Sequence, residues 1–313
     1  MNTARIRINH AGPYVTFQDG GRPGHMRFGV SASGPMDRAS FTAANLSIGN
    51  KADATTIEVS MGGLSLECIS GDITLAICGG EFSVELGEEV YNSSVVLTIK
   101  VGQHLSIRPG KSGSWCYLAI AGQVDVPQWL GKSATHALSG FGGGVVTPGL
   151  EFDVLNSRAQ PEFNGPIPTF QARKFGRHLR VVLGPQEQYF TPEALKQFLG
   201  SEFTLSDAYD RMGVRLKGPS LKMNGALSIP SEPILKGSIQ VAGDGVPTIL
   251  LADHQTTGGY PKIATVISAD IDDFVQLRPR QKIRFHAVDP KQAIMLARIR
   301  AIELRSYFEA LSR

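Results

Sequence analysis

Residues 250–261 read LLADHQTTGGYP: an apolar run meets a carboxylate at Asp253 and continues through Gln255, Thr256 and Thr257 to a double glycine, Tyr260 and Pro261. An ionised aspartate accepts an N–H, and a glutamine amide matches the N–H and C=O of a planar amide together. Gly258 and Gly259 permit a sharp return, and Pro261 biases Tyr260 towards extended backbone, so the loop is shaped. The same residues also suit an Asx-type turn in a long hairpin, and on this segment alone the two readings stand level.

Three further stretches carry polar groups worth weighing. In SEPILKGSIQVAGDG (231–245), Glu232, Lys236 and Gln240 recur every four residues, but Pro233 and Gly237 argue for a strand entry, so helical spacing does not put them on one face. In AYDRMGVRLKG (208–218), Asp210 and Arg211 can pair with each other, and Arg211 or Arg215 can receive a carboxylate through the guanidinium fork. Arginines beside a glycine turn are equally ordinary as surface charge. In the stretch 16–50, glycines at 20, 21, 24, 29 and 34 accompany Gln18, Asp19, Arg22 and Ser33. Asn45 there falls four residues after Phe41 and three before Ile48, on the apolar side of an expected helix. A buried amide must find partners, either a neighbouring loop or strand edge or a ligand.

These groups together suit a planar amide or ureido ligand, with Lys or Arg neutralising a carboxylate or a developing oxyanion. No nucleophile, base and orienting group form a triad. The tripeptide GKS at 110–112 and 131–133 is no phosphate loop, because the required earlier glycine is Leu105 in one case and Val126 in the other. The 7 histidines show no HExxH pair and the cysteines no paired CxxC, so no metal is expected.

The elements that must hold these residues are mostly strands. Runs at 73–78, 82–86, 94–101, 104–109 and 115–122, then 179–184, 237–243, 248–253, 264–270 and 282–288, are β-rich and separated by turn signals. With 35 glycines and 18 prolines, antiparallel barrels or sandwiches are favoured over a bundle. The Pro-rich stretch 161–170 is expected as a linker between domains at 1–160 and 171–313. A helix is expected from Asp37, and Ile294, Ala297, Ala301, Leu304, Phe308 and Leu311 predict an amphipathic terminal helix packed on the sheets.

Composition narrows the function class. A chain of 313 residues suits two domains, and a net charge of +3 without a Lys/Arg block gives no support to a nucleic-acid or anionic-membrane surface. Three scattered cysteines inside apolar segments read as buried thiols, and no apolar stretch approaches the roughly 20 residues of a bilayer span, so a cytoplasmic protein is expected.

The segments TFQDGGRPG, SGPMD, AANLSIGN, IEVSMGG, AGQVDVPQWLGKSAT, DRMGVRL, GSIQV and GVPTILLADHQTTGGYPKIATVISAD, in this order, resemble one family. It is the biotin-dependent carboxyltransferase-like family that includes the C-type component of 5-oxoprolinase, the second component of allophanate-hydrolase-type proteins and the carboxyltransferase part of urea carboxylase. The resemblance implies a mostly-β protein of two cyclophilin-like β-barrel halves with a few helices and a C-terminal helix. It carries the family's motif positions onto Asp19, Arg22, Asp37, Asn45, Arg211, Gln240, Asp253, Gln255, Thr256 and Tyr260. Expected roles are amide recognition by Asn45 and Gln255, an N–H acceptor or water-orienting group at Asp253, and receipt of negative charge by Arg211 or Lys236.

For a chain of this length, the resemblance implies the C-type component of a 5-oxoprolinase, which helps open the lactam of 5-oxoproline to L-glutamate. ATP is then used by the complex, with B-like and A-like 5-oxoprolinase proteins as partners and no covalently bound cofactor. Two alternatives remain: biotin-dependent carboxyl transfer to urea or a related amide, and a non-enzymatic regulator that antagonises a kinase inhibitor.

Overall fold

Alternation writes the strands that have one face in water, and continuous apolar runs such as Trp115–Ile120 write those covered on both. In Thr3–Ala11 the side chains of Ala4, Ile6 and Ile8 are buried while those of Thr3 and Arg5 are exposed, the period-two pattern of a sheet with one wet face. The computed structural model describes residues 2–170, 177–224 and 228–312. The chain divides into two compact units, one of 1–22, 33–172 and 304–313, the other of 23–32 and 173–303. The expected start of the second domain, at 171, lies outside the described residues.

The first unit has a seven-stranded and a six-stranded sheet. The larger runs Gln123–Val124, Glu151–Leu155, Thr3–Ala11, Leu64–Ser70, His104–Pro109, Phe82–Leu86, Glu89–Asn92. The smaller runs Gly165–Pro166, Val95–Ile99, Ile73–Gly79, Trp115–Ile120, Thr56–Ser60, Thr16–Gln18. Ile6, Phe17, Ile57, Leu66, Leu75, Val84, Ile107 and Leu118 belong to their common core. Helix α1 (Arg38–Leu46) starts as expected: Asp37 Oδ1 accepts from Ser40 N at 3.0 Å. Phe41, Ala44 and Ile48 then cover Ala76, Cys78, Tyr117 and Ala119, which explains why Trp115–Ile120 is buried on both faces. Of the expected linker, Gly165–Pro166 pairs with Val95 and Val96 as an edge strand.

The second unit is a closed barrel of His178–Leu183, Lys262–Val266, Ser238–Val241, Pro247–Leu250, Gly213–Lys217, Phe203–Tyr209 and Lys282–Ala287. The last strand closes the ring by parallel pairing with the first. Helix α2 (Pro192–Gly200) inserts Phe198 into the barrel core, where it stacks on Phe285 at 4.3 Å between ring centroids.

Three expectations need correction. The run 264–270 is not one strand: pairing ends at Val266, and helix α3 (Ser268–Phe274) begins two residues on, with Asp270 in its first turn, where a carboxylate favours helix over sheet, its Oδ2 accepting from Arg180 N at 2.9 Å. The run 248–253 ends as a strand at Leu250, so Asp253 lies in the turn beyond it. The terminal helix α4 (Pro290–Leu311) is not buried along its whole apolar stripe: Leu311 is buried with Tyr307 and Phe308 against the α1 cluster, and Arg300 lies 3.6 Å from Asp273 of α3. Nearer its start Ile294, Met295, Ile299 and Ile302 are exposed.

Candidate functional site

The barrel order dictates how the loop 251–261 must run. It joins Pro247–Leu250 to Lys262–Val266, and these strands flank Ser238–Val241 on either side, so the loop has to arch over that strand. Gln240, buried in the strand beneath, meets Gln255 of the arch: Gln255 Nε2 donates to Gln240 Oε1 at 3.1 Å. Gln240 Nε2 in turn donates to the Tyr260 carbonyl at 3.3 Å. Gln255 is exposed, so the pair has one member in the barrel wall and one at the surface. Thr256 contributes its carbonyl, accepting from Ile234 N at 3.1 Å, and the Tyr260 ring is 48 % exposed. Gly258 lies so close beneath that a Cβ there would sit 2.6 Å from Gln240 Nε2 and 2.5 Å from Ile234 Cδ1.

The start of the arch is pinned to the turn at 210–212. Arg211 donates from Nε and Nη2 to the two carboxylate oxygens of Asp253, both at 2.9 Å, with the side chains 1 % and 0 % exposed. Backbone bonds Asp253 N to Arg211 O (2.8 Å) and Leu251 N to Met212 O (2.9 Å) reinforce the junction. Asp210 does not pair with Arg211; its Oδ1 caps the turn by accepting from Met212 N at 2.8 Å and Gly213 N at 3.2 Å. Asp253 and Arg211, expected to meet a ligand as separate charges, are thus joined as a buried fork that positions the loop. His254 follows, its Nδ1–H donating to the Gln255 carbonyl at 2.6 Å. Burial lowers its pKa below 6.5, and the nearby Lys236 cation lowers it further against the opposing influence of that carbonyl and of Asp253, so the ring is neutral at pH 7.

Beside the glutamine pair lies a cluster in which Glu232 meets two residues that sequence reasoning passed over. Lys262 is 4 % exposed, and its Nζ lies 3.3 Å from Glu232 Oε2; Gln186 Nε2 donates to the same oxygen. Gln186 also accepts, through Oε1, from Lys262 N at 3.0 Å. Lys262 and Gln240 are direct cross-strand partners, so their side chains share a face of the barrel wall. The available signal was a lysine heading the apolar run KIATVI, which an amphipathic strand would have left in water. Gln186 gave no signal, because only the long-range pairing of His178–Leu183 with Lys262–Val266 brings it to Lys262.

In the first unit the expected residues act differently. Asp19 organises its loop: Oδ1 accepts from Gly21 N at 2.9 Å, and Oδ2 from Ser133 N at 2.8 Å and Ser133 Oγ at 3.2 Å. Arg22, 1 % exposed, donates from Nη2 to the Ala134 carbonyl and lies 4.9 Å over the Trp129 ring. Asp37 is the helix cap already described. Asn45 was expected to recognise a ligand amide; instead its Nδ2 donates to the carbonyls of Ala54 (3.0 Å) and Phe41 (3.5 Å), and its Oδ1 accepts from Asn50 Nδ2 at 3.3 Å. Fully buried and bonded on every side, it fastens the 50–54 turn to α1. A buried carboxylate that sequence reasoning passed over, Glu58, accepts from Tyr117 Oη at 2.7 Å and Met36 N at 2.8 Å, and burial with the adjacent Glu58 and Asp37 pushes the Tyr117 phenol well above 10.

Among the described residues no group of His, Cys, Asp and Glu gathers as a metal site, and no helix is long and apolar enough to cross a membrane. The profile of the carboxyltransferase domain, subdomain A and B, matches residues 28–287. The C subunit of the Escherichia coli K12 5-oxoprolinase is 32 % identical over 311 residues, covering 98 % of this chain and 97 % of that protein. The protein of the same name from Haemophilus influenzae is 33 % identical over 295 residues, 93 % of each. The crystal structure of the K. lactis urea amidolyase matches with a TM-score of 0.85 at 27 % identity, over 98 % of this chain but only 20 % of that one.

Proposed function

The chain belongs to the carboxyltransferase domain, subdomain A and B, family, and from that premise we propose that it is the C-type component of a cytoplasmic, ATP-dependent 5-oxoprolinase. With A-like and B-like partner proteins it contributes to opening the lactam of 5-oxoproline to L-glutamate. The observation that carries this reading is the hydrogen-bonded pair Gln240 and Gln255 on the arch over the second barrel. A lactam holds its N–H and C=O on the same side, and a primary amide presents the complementary acceptor and donor, so one glutamine can bind both groups in a plane. The Arg211–Asp253 fork fixes the arch, and the neutral His254 clamps its crest. Opening the ring requires water at the lactam carbon and departure of the ring nitrogen as an amine; amide resonance opposes this, which is the chemical reason to couple it to ATP.

ATP itself does not fit this donor set. A triphosphate takes successive backbone N–H groups at a helix N-terminus with a divalent cation, whereas the side chains gathered here are amides and mutually paired charges. The nucleotide chemistry is assigned to the partner proteins. A second reading is supported by the match of this chain to one fifth of the urea amidolyase chain: the ureido ring of biotin is also a cis amide, and Gln240 and Gln255 would hold it while biotin carries the carboxyl group.

The test is glutamate formation by the assembled complex over a range of 5-oxoproline concentrations. Gln255→Ala should raise KM by roughly 3- to 10-fold, the range for one neutral hydrogen bond. An unchanged KM in Gln255→Ala and in Gln240→Ala would remove the amide pair from the substrate site.

A further inference from the structure

5-Oxoproline is more than a lactam: its carboxylate sits on the carbon bonded to the ring nitrogen, so a site that reads the amide must meet that charge close by. We infer that Lys262 and Gln186 form the carboxylate subsite of the amide-reading site, and that in the free chain the side chain of Glu232 occupies it as an internal stand-in. This rests on the lactam reading above.

Four observations converge. Lys262 is the direct cross-strand partner of Gln240, so its side chain emerges on the same face as the amide pair. Its ammonium is on a side chain only 4 % exposed, and a lysine taken out of water needs an anion. The anion it has is one oxygen of Glu232, which also accepts from the Gln186 amide. A cation and an amide N–H converging on one carboxylate oxygen are the donors that a substrate carboxylate requires.

The fourth observation concerns where Glu232 comes from. Its side chain is 48 % exposed, and it belongs to the short strand Glu232–Pro233, which lies outside the barrel and pairs with Thr257–Gly258 of the arch itself. Glu232 therefore reaches the buried lysine from the solvent side and can swing back to water with little loss, whereas Lys262 and Gln186 are held by the barrel wall. A ligand carboxylate exchanges for a protein carboxylate, and Lys262 is paired before and after.

The experiment compares 5-oxoproline with 2-pyrrolidinone, the same lactam without the carboxylate, in the complex assembled from full-length proteins with glutamate or 4-aminobutyrate formation as readout. Lys262→Met should raise KM for 5-oxoproline by roughly 10- to 100-fold and move that for 2-pyrrolidinone by less than about threefold, because the neutral lactam has no ion pair to lose. Lys262→Arg should restore most of the loss. Glu232→Gln should lower KM for 5-oxoproline by weakening the internal competitor, and this variant decides the matter if Lys262→Met does not fold. A rise shared equally by both lactams, no rise in Lys262→Met, or an unchanged KM in Glu232→Gln overturns the subsite. If the wild-type complex does not act on 5-oxoproline at all, the functional reading itself fails and the subsite with it, a result distinct from the other three.

Discussion

Replacing Asp253 by alanine should act by destabilising the second unit rather than by removing a reacting group. The Arg211 guanidinium is 1 % exposed, and both of its bonds to Asp253 are 2.9 Å long. Without the carboxylate, a buried cation loses its counter-ion and two charge-assisted hydrogen bonds, a change that costs about 3–5 kcal/mol. A domain is stable by only about 5–15 kcal/mol. At roughly 3 °C per kcal/mol, the melting temperature should fall by about 9–15 °C. The assay is thermal and urea unfolding of the full-length chain, followed by circular dichroism, for wild type, Asp253→Ala and the double variant Arg211→Met/Asp253→Leu. The double variant removes both charges at similar volume and should recover most of the stability. An Asp253→Ala protein that melts within about 2 °C of wild type yet supports no lactam opening in the complex would refute this reasoning and return Asp253 to the chemistry.

Asn45→Ala deprives the buried Ala54 carbonyl of its amide donor and Asn50 Nδ2 of one of its two acceptors, the Ile120 carbonyl remaining, and should cost about 1–3 kcal/mol in urea unfolding, with KM for 5-oxoproline changed less than about twofold. Gly258→Ala puts a Cβ 2.6 Å from Gln240 Nε2; the displaced amide should raise KM by roughly 3- to 10-fold in the assembled complex. Burial pushes the Cys68 thiol up to about 11, with Asp72 and Glu67 adding to it, so at pH 8 only about a thousandth is thiolate and native-state alkylation should leave it unlabelled until the chain unfolds. Its folded value exceeds the unfolded value of about 8.5, so the stability it contributes is complete below pH 8.5 and is lost as pH rises through about 11; Cys68→Ser should flatten the alkaline side of the stability curve.

Local signals in the sequence served best where local physics decides. The strands Phe82–Leu86 and His104–Pro109 match their expected bounds, because a β-rich run ends at a turn on each side. Asp37 as a helix start was equally local, since a carboxylate before a helical run satisfies orphan N–H groups. The motif around Asp253 and Gln255 singled out the arch of the second barrel but not its wiring. Arg211 is 42 positions from Asp253, and only the barrel brings them together. Asn45 was correctly placed on the buried side of its helix, yet burial alone does not say whether an amide serves a ligand or a neighbouring turn. Lys262 and Glu58 were missed for one reason: each sits in a short strand where charge suggests a wet face, and both are buried by long-range partners. The terminal helix shows the opposite error, since Ile294 satisfied the apolar period and is 54 % exposed.

That this chain serves lactam opening is tested most directly by omission. The candidate partner proteins are assembled with and without it, and ADP release is measured in the presence and absence of 5-oxoproline, with avidin added to remove any biotin-dependent route. The structure-based reading predicts release that 5-oxoproline stimulates, that avidin leaves alone, and that disappears without this chain. Stimulation that persists without the chain, or that avidin abolishes, would contradict it, and the second outcome would transfer the amide pair to biotin.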